Sequence, residues 1–291
     1  MSELLFCSMV EMPNEMVSYI ITEKHTMEES EEKRGASEVK RPSLLWAISE
    51  APRALFELTT YLPFRLLNTG SSEGDGHPVL ILPGFMATDM STVPLRSFVH
   101  KMGYSVYGWG EGRNFGHKEY EDLLLEKVAQ LYKKHGERVS LIGWSLGGVY
   151  ARQLAKQLPH MVRQIITLGS PFKGVLVANN ATWMYELLKR NKVAESVDPE
   201  FLADIPNPAP VPTTAIYSKQ DGVVPWEMCM EEENAIHQNI EVRGSHLGLG
   251  VNPSVLYIIE DRLKYSRVNW TPFVPDSQLK DIFLYPSLDV A

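Results

Sequence analysis

The chain has 291 residues, 44% of them hydrophobic, which suits one α/β domain with additions or at most two domains. A formal net charge of −8 argues against a phosphate-backbone partner and so excludes nucleic acid as a ligand class. No apolar run is long enough to cross a membrane, and the apolar patch at 4–10 is flanked by Glu3 and Glu11 with no cleavage-site pattern. Two distant cysteines, Cys7 and Cys229, imply a reduced compartment without a disulfide framework. The expectation is a cytoplasmic chain without a signal peptide, with peripheral membrane association left open.

Residues 1–40 are polar and aperiodic, with a charge cluster at Glu28–Arg34, and read as a mobile N-terminal segment. Residues 41–76 form a lead and a linker. Leu44, Leu45, Trp46, Ile48, Leu55, Phe56, Leu58, Leu62, Phe64, Leu66 and Leu67 suggest two short amphipathic helices, with Pro42 and Pro52 at their starts. Their apolar sides either pack on the body of the domain or meet a membrane interface, and the scarcity of basic residues weighs against the second. The Gly/Ser/Asp run from Gly70 to Gly76 is the linker.

From 77 to 268 apolar strands alternate with helices. Strands are predicted at Val79–Leu82, Tyr104–Trp109, Val139–Gly143, Gln164–Leu168, Thr213–Tyr217 and Ile240–Arg243. Helices are predicted at Thr92–Lys101, Tyr120–Lys134, Leu146–Leu158 and Pro253–Lys264. This alternation implies a mostly parallel sheet of about six strands with helices on both faces. Residues 172–211 are too long for an ordinary connection and read as a small lid insertion over the carboxyl ends of the strands. It carries a helix at Ala181–Lys192 and a Pro-rich run from Pro206 to Pro212. Trp183, Met184 and Leu187 give that helix an apolar side, which either packs locally or contacts an acyl chain. Residues 269–291 form a C-terminal tail.

The chemistry centres on Gly143-Trp144-Ser145-Leu146-Gly147, which joins a predicted strand to a predicted helix. Three fixed residues are a weak pattern alone. A strand before and a helix after make it a nucleophile elbow, a sharp turn that exposes Ser145. A serine hydroxyl needs a base, an acid to orient that base, and donors for the oxyanion. Asp221 sits in the Asp-Gly turn after the fifth strand and His246 in a Gly-flanked loop after the sixth, in the order Ser, Asp, His. The candidate oxyanion donors are the Leu146 N–H and the Phe85 N–H in the Pro83-Gly84-Phe85 loop, with Met86 as a register alternative. Trp144, beside the nucleophile, joins Trp183, Met184 and Leu187 as a candidate substrate contact. Arg113, in Gly112-Arg113-Asn114, reads better as a brace for its turn than as an anion ligand. The scheme calls for no metal or cofactor.

Taken together these motifs resemble the bacterial α/β-hydrolases of lipase or esterase type, related to the GPI inositol-deacylase-like group. The resemblance runs along most of residues 42–265. Its other matching pieces are Gly74–Phe85, Gly108–Asn114, Leu168-Gly169-Ser170-Pro171-Phe172-Lys173-Gly174, Ser218–Trp226 and Gly244-Ser245-His246-Leu247-Gly248. It implies the α/β-hydrolase fold, a triad of Ser145, Asp221 and His246, and oxyanion donors at Phe85 and Leu146. The expected activity is hydrolysis of a small-molecule or lipid carboxylic ester through an acyl-enzyme. Acyl transfer or cofactor-free perhydrolysis on the same triad, and a non-catalytic binding module, are the competing readings.

Overall fold

Six strands are buried or half-buried along their length, and all six run parallel: β1 Pro78–Leu82, β2 Ser105–Tyr107, β3 Val139–Trp144, β4 Val162–Leu168, β5 Thr213–Tyr217 and β6 His237–Val242. A two-residue strand, β7 (Phe283–Leu284), adds antiparallel to β6, and the sheet order is β2-β1-β3-β4-β5-β6-β7. The computed structural model describes residues 42–67, 74–173, 203–275 and 283–284. The N-terminal segment, most of the insertion and the helix expected at 181–192 lie outside them.

Alternation along each strand feeds two apolar cores. Val79 and Ile81 of β1 and Ile142 of β3 pack with α2 (Val93–Lys101) and α5 (Pro253–Leu263). Leu80, Leu82 and Leu141 face the other way, against α3 (Glu119–His135) and α4 (Leu146–Gln157). A sheet covered on both faces needs near-continuous apolar strands, which is why β1 reads Pro-Val-Leu-Ile-Leu with every residue buried. Helix ends follow local chemistry. Asn252 caps α5 by accepting from the Ser254 and Val255 amides, and Gly136, at φ +66°, ends α3.

Several boundaries differ from expectation, three of them instructively. The second strand stops at Tyr107 rather than Trp109, because the Trp109 and Gly110 amides turn to the Asp89 carboxylate at 2.8 and 2.9 Å. The helix expected at Thr92 begins as a 3-10 turn over Asp89–Thr92. The last parallel strand starts at His237, three residues before its apolar core. Beyond 268 the chain still serves the domain, with Phe273 buried in the core beside α5.

The largest correction concerns the lead. In place of two helices there is one, α1 (Leu44–Leu67), with Pro52 and Pro63 inside it. An interior proline forfeits a helical hydrogen bond, so tertiary anchors must hold α1 together. Tyr61 and Phe64 enter the core, and the Tyr61 hydroxyl donates to Pro94 O at 2.8 Å. The anchoring face also carries Glu50 and Glu57, both buried, whereas Leu44, Leu45, Ile48, Leu55, Phe56, Leu58, Leu62 and Leu66 are exposed. Eight of the lead's apolar residues point outward, and two glutamates point in. Among the described residues no helix is long and apolar enough to cross a membrane.

Candidate active site

The chain order β2-β1-β3 makes β1 and β3 the point where successive connections diverge to opposite sides, and ligands in open α/β sheets bind at the carboxyl ends of such strands. Ser145 stands there, between the end of β3 and the start of α4. Its backbone is forced to φ +54°, ψ −122°, and its N–H donates to Leu168 O at 2.8 Å. Only Met86 shares this left-handed φ among the described non-glycine residues. Such a conformation costs about 1–3 kcal/mol and persists only where the surroundings over-determine it. Here the glycines do so by permitting close approach. A Cβ on Gly143 would lie 2.3 Å from Gly148 Cα, and one on Gly147 would lie 2.3 Å from Leu82 O.

Asp221 and His246 meet from the ends of β5 and β6. Asp221 Oδ1 accepts from the Val223 and Val224 amides at 2.8 and 2.7 Å, which aims Oδ2 at His246 Nδ1, 2.6 Å away. The pair fixes the imidazole with Nδ1 toward the acid and Nε2 free for other work. Burial pushes His246 downward, but the Asp221 carboxylate, and after it that of Glu50, more than offsets this, so its pKa stands above the ordinary histidine value. Ser145 and His246 open onto one cavity of about 350 Å³, lined also by Phe85, Met86, Trp144, Val223 and Leu247. No hydrogen bond joins Ser145 Oγ to His246 among the described residues. Apo sites often hold such contacts loosely.

In the loop after β1 the two candidate oxyanion amides differ in what they already bond. The Met86 N–H is spent on Asn114 O at 2.7 Å, which removes it as a donor. The Phe85 N–H has no backbone partner among the described residues, and the Leu146 N–H opens α4, where amides lack helical acceptors and the dipole favours negative charge. Asn114 organises this loop and was not singled out from the sequence. It is fully buried, donates from Nδ2 to Pro83 O and accepts at Oδ1 from the Gly116 amide, both at 3.0 Å. Its only sequence signal was an amide side chain in a glycine-bounded loop after the second strand. Arg113 braces the same loop as expected, donating from Nη1 to Met86 O at 2.9 Å.

Trp144 lines the cavity and also donates its indole N–H to His246 O at 3.1 Å, so it ties the Ser145 turn to the His246 loop. Trp183, Met184 and Leu187 lie outside the described residues. Among the described residues no group of three or more His, Cys, Asp or Glu side chains is placed to hold a metal ion.

Comparison with known proteins agrees with this architecture. Residues 110–206 match the family model of the PGAP1-like alpha/beta domain, a stretch that contains the Ser145 turn. In the solved structures, lipase B of Aspergillus fumigatus superposes with a TM-score of 0.52 at 16% identity, covering 68% of this chain and 55% of that one. The propeptide form of the Bacillus licheniformis lipase BlEst2 gives 0.51 at 15% identity, over 72% and 54%. This chain has the α/β-hydrolase fold. Among curated proteins, the chain is 29% identical over 106 residues to a pimeloyl-[acyl-carrier protein] methyl ester esterase of Aliivibrio salmonicida, and 28% identical over 105 residues to that of Aliivibrio fischeri. The alignments cover 34% of this chain and 38% of those enzymes, so the chain spans well under half the length of the curated relatives it matches.

Proposed function

We propose that the hydrolase cleaves carboxylic esters through an acyl-enzyme on Ser145. The observation that carries this reading is the Asp221–His246 pair at 2.6 Å, with His246 and the strained Ser145 facing one cavity. His246 Nε2 takes the Ser145 proton as Oγ attacks the ester carbon. The Phe85 and Leu146 amides receive the negative charge that develops on the carbonyl oxygen, and Asp221 stabilises the imidazolium. Collapse breaks the bond to the alcohol oxygen, which leaves with the proton from His246. Water then attacks the acyl carbon, giving its proton to His246, and the second collapse returns that proton to Ser145.

The cavity is walled by Phe85, Met86, Val223 and Leu247, which suits an apolar acyl group of modest size. The curated relatives, named for esterase action, support the ester class. Their particular substrate is not carried over, because the shared segment is short. The test is Ser145→Ala in the full chain, assayed with p-nitrophenyl butyrate and a fluorophosphonate probe. Turnover and labelling both vanish if the scheme is right, and normal turnover by Ser145→Ala refutes it. Repeating the wild-type assay with added acceptor alcohol separates hydrolysis from acyl transfer by whether free acid or a new ester accumulates.

A further inference from the structure

Helix α1 turns an acidic, buried face to the domain while eight large apolar residues stay in solvent. Folding alone would favour the reverse, since burying a carboxylate costs free energy and burying leucine releases it. What the two carboxylates touch supplies the reason. Glu50 Oε1 accepts the Gly222 amide at 2.8 Å and the His246 amide at 3.1 Å, and its Oε2 accepts the Leu247 amide at 3.0 Å. Glu57 Oε1 accepts the Ser245 amide at 2.8 Å, and its Oε2 accepts the Ser245 hydroxyl at 2.6 Å.

Resting on the ester-hydrolase reading above, we propose that α1 is a built-in clamp. Glu50 and Glu57 are positioning residues that hold the Asp221 loop and the His246 loop in register. A single oxygen, Glu50 Oε1, binds the residue after the acid and the base itself. The separation of the two loops is therefore set from outside the sheet. Glu57 fixes the residue before the base, and the Ser245 hydroxyl passes the restraint on by accepting the Gly248 amide at 3.0 Å. The loop glycines fit this docking. A Cβ on Gly222 would lie 2.4 Å from the Trp46 carbonyl carbon, and one on Gly248 only 1.4 Å from Glu57 Oε2. Those glycines, legible in the sequence only as loop flexibility, are where the helix comes close.

The clamp also contributes charge. The groups around His246 are Asp221 from the loop after β5 and Glu50 and Glu57 from α1. Arg53 pairs with Glu50 at 2.9 Å, and Cys229 lies near Asp221 with its thiol kept neutral chiefly by burial. The Asp221 and Glu50 carboxylates both favour the imidazolium. Removing the Glu50 charge lowers the His246 pKa, so the acid limb of kcat/KM moves to lower pH. Glu57 bonds the Ser245 amide and hydroxyl rather than residue 246, so its neutralisation is expected to lower kcat without moving that limb.

The experiment uses the full chain with p-nitrophenyl butyrate, a fluorophosphonate probe and amide hydrogen exchange, comparing wild type with Glu50→Gln, Glu57→Gln and Tyr61→Phe. The last removes the α1 anchor to Pro94, which bonds neither loop, and controls for loosening of the helix. For Glu50→Gln the expected result is a kcat lower by about tenfold or more, KM changed by less than about threefold, and the acid limb moved to lower pH. Exchange should quicken at 222 and 245–248 in both glutamate variants, with Glu50→Asp restoring part of the loss. Tyr61→Phe should lower the melting temperature without moving the acid limb. If a Glu50→Gln protein that is folded and labelled at Ser145 keeps wild-type kcat, acid limb and loop exchange, the clamp is overturned and the ester-hydrolase reading stands. If the wild-type chain neither turns over ester nor labels at Ser145, the ester-hydrolase reading fails and takes the catalytic role of the clamp with it.

Discussion

Asn114→Ala separates a scaffold role from a catalytic one at the oxyanion loop. Alanine deletes the bond to Pro83 O and the bond from the Gly116 amide, both 3.0 Å, while the backbone links of residue 114 to Met86 and Ala87 persist. Pro83 is buried, so its carbonyl loses a partner that water cannot replace. Gly116 is half-exposed and can be resolvated. At about 1–3 kcal/mol for a buried unsatisfied group and less for the solvated one, the fold should lose roughly 2–4 kcal/mol. Removing a whole oxyanion donor costs on the order of 10²–10³ in kcat. Asn114 acts on the Phe85 amide only through the backbone, so a loss of about 10- to 100-fold is expected. KM should stay within about threefold, since the oxyanion exists only past the ground state. Urea unfolding and steady-state hydrolysis of p-nitrophenyl butyrate on the same preparation read both numbers. A variant destabilised by about 2 kcal/mol or more that retains wild-type kcat would refute the link between Asn114 and the oxyanion.

Other outcomes follow from the same geometry. Asp221→Asn should lower kcat by about 10³–10⁴ with little change in KM, because the imidazole loses both its tautomer lock and its counter-charge; steady-state kinetics across pH should also show the acid limb moving down. Gly143→Ala should abolish fluorophosphonate labelling and cost about 1–3 kcal/mol, since the new methyl would overlap the Gly148 backbone. His77 is buried at the foot of β1, 2.8 Å from Ser140 Oγ, and its pKa is lowered from 6.5 to about 4 by burial and then by the Arg163 charge. The unfolded chain therefore binds a proton that the folded chain refuses, and stability falls as pH drops from about 6.5 to about 4, by roughly 3 kcal/mol over the window. His77→Gln should flatten that stretch of a stability–pH curve measured by urea unfolding, and an unchanged slope would contradict the assignment.

The sheet was legible because a parallel core demands continuous apolar strands, and β1, β3 and β5 stood out as such. Ser145, Asp221 and His246 could be singled out as candidates because each follows a predicted strand in a turn marked by glycine. What escaped was whatever acts at a distance in sequence. Asn114 meets Pro83 across 31 residues, and Glu50 reaches His246 across 196. Periodicity misread α1 for a related reason. Its leucines form a convincing stripe, but the docked face was chosen by amides that need acceptors, and no local pattern records those amides. Pro52 looked like a helix start because the anchors that carry the helix past it lie elsewhere in the fold.

The positive φ angles at Ser145 and Met86 carry a consequence for how this molecule would respond to selection. Glycine adopts that backbone region without steric cost, so both positions have a more comfortable residue available. A library screened for heat resistance alone would be expected to enrich glycine at 86, and at 145 as well, where the gain in stability would erase the proposed nucleophile. Survivors of such a screen would be better folded and poorer catalysts. A screen that requires turnover should hold Ser145 fixed and leave Met86 free to report how much of the strain in the oxyanion loop the reaction needs.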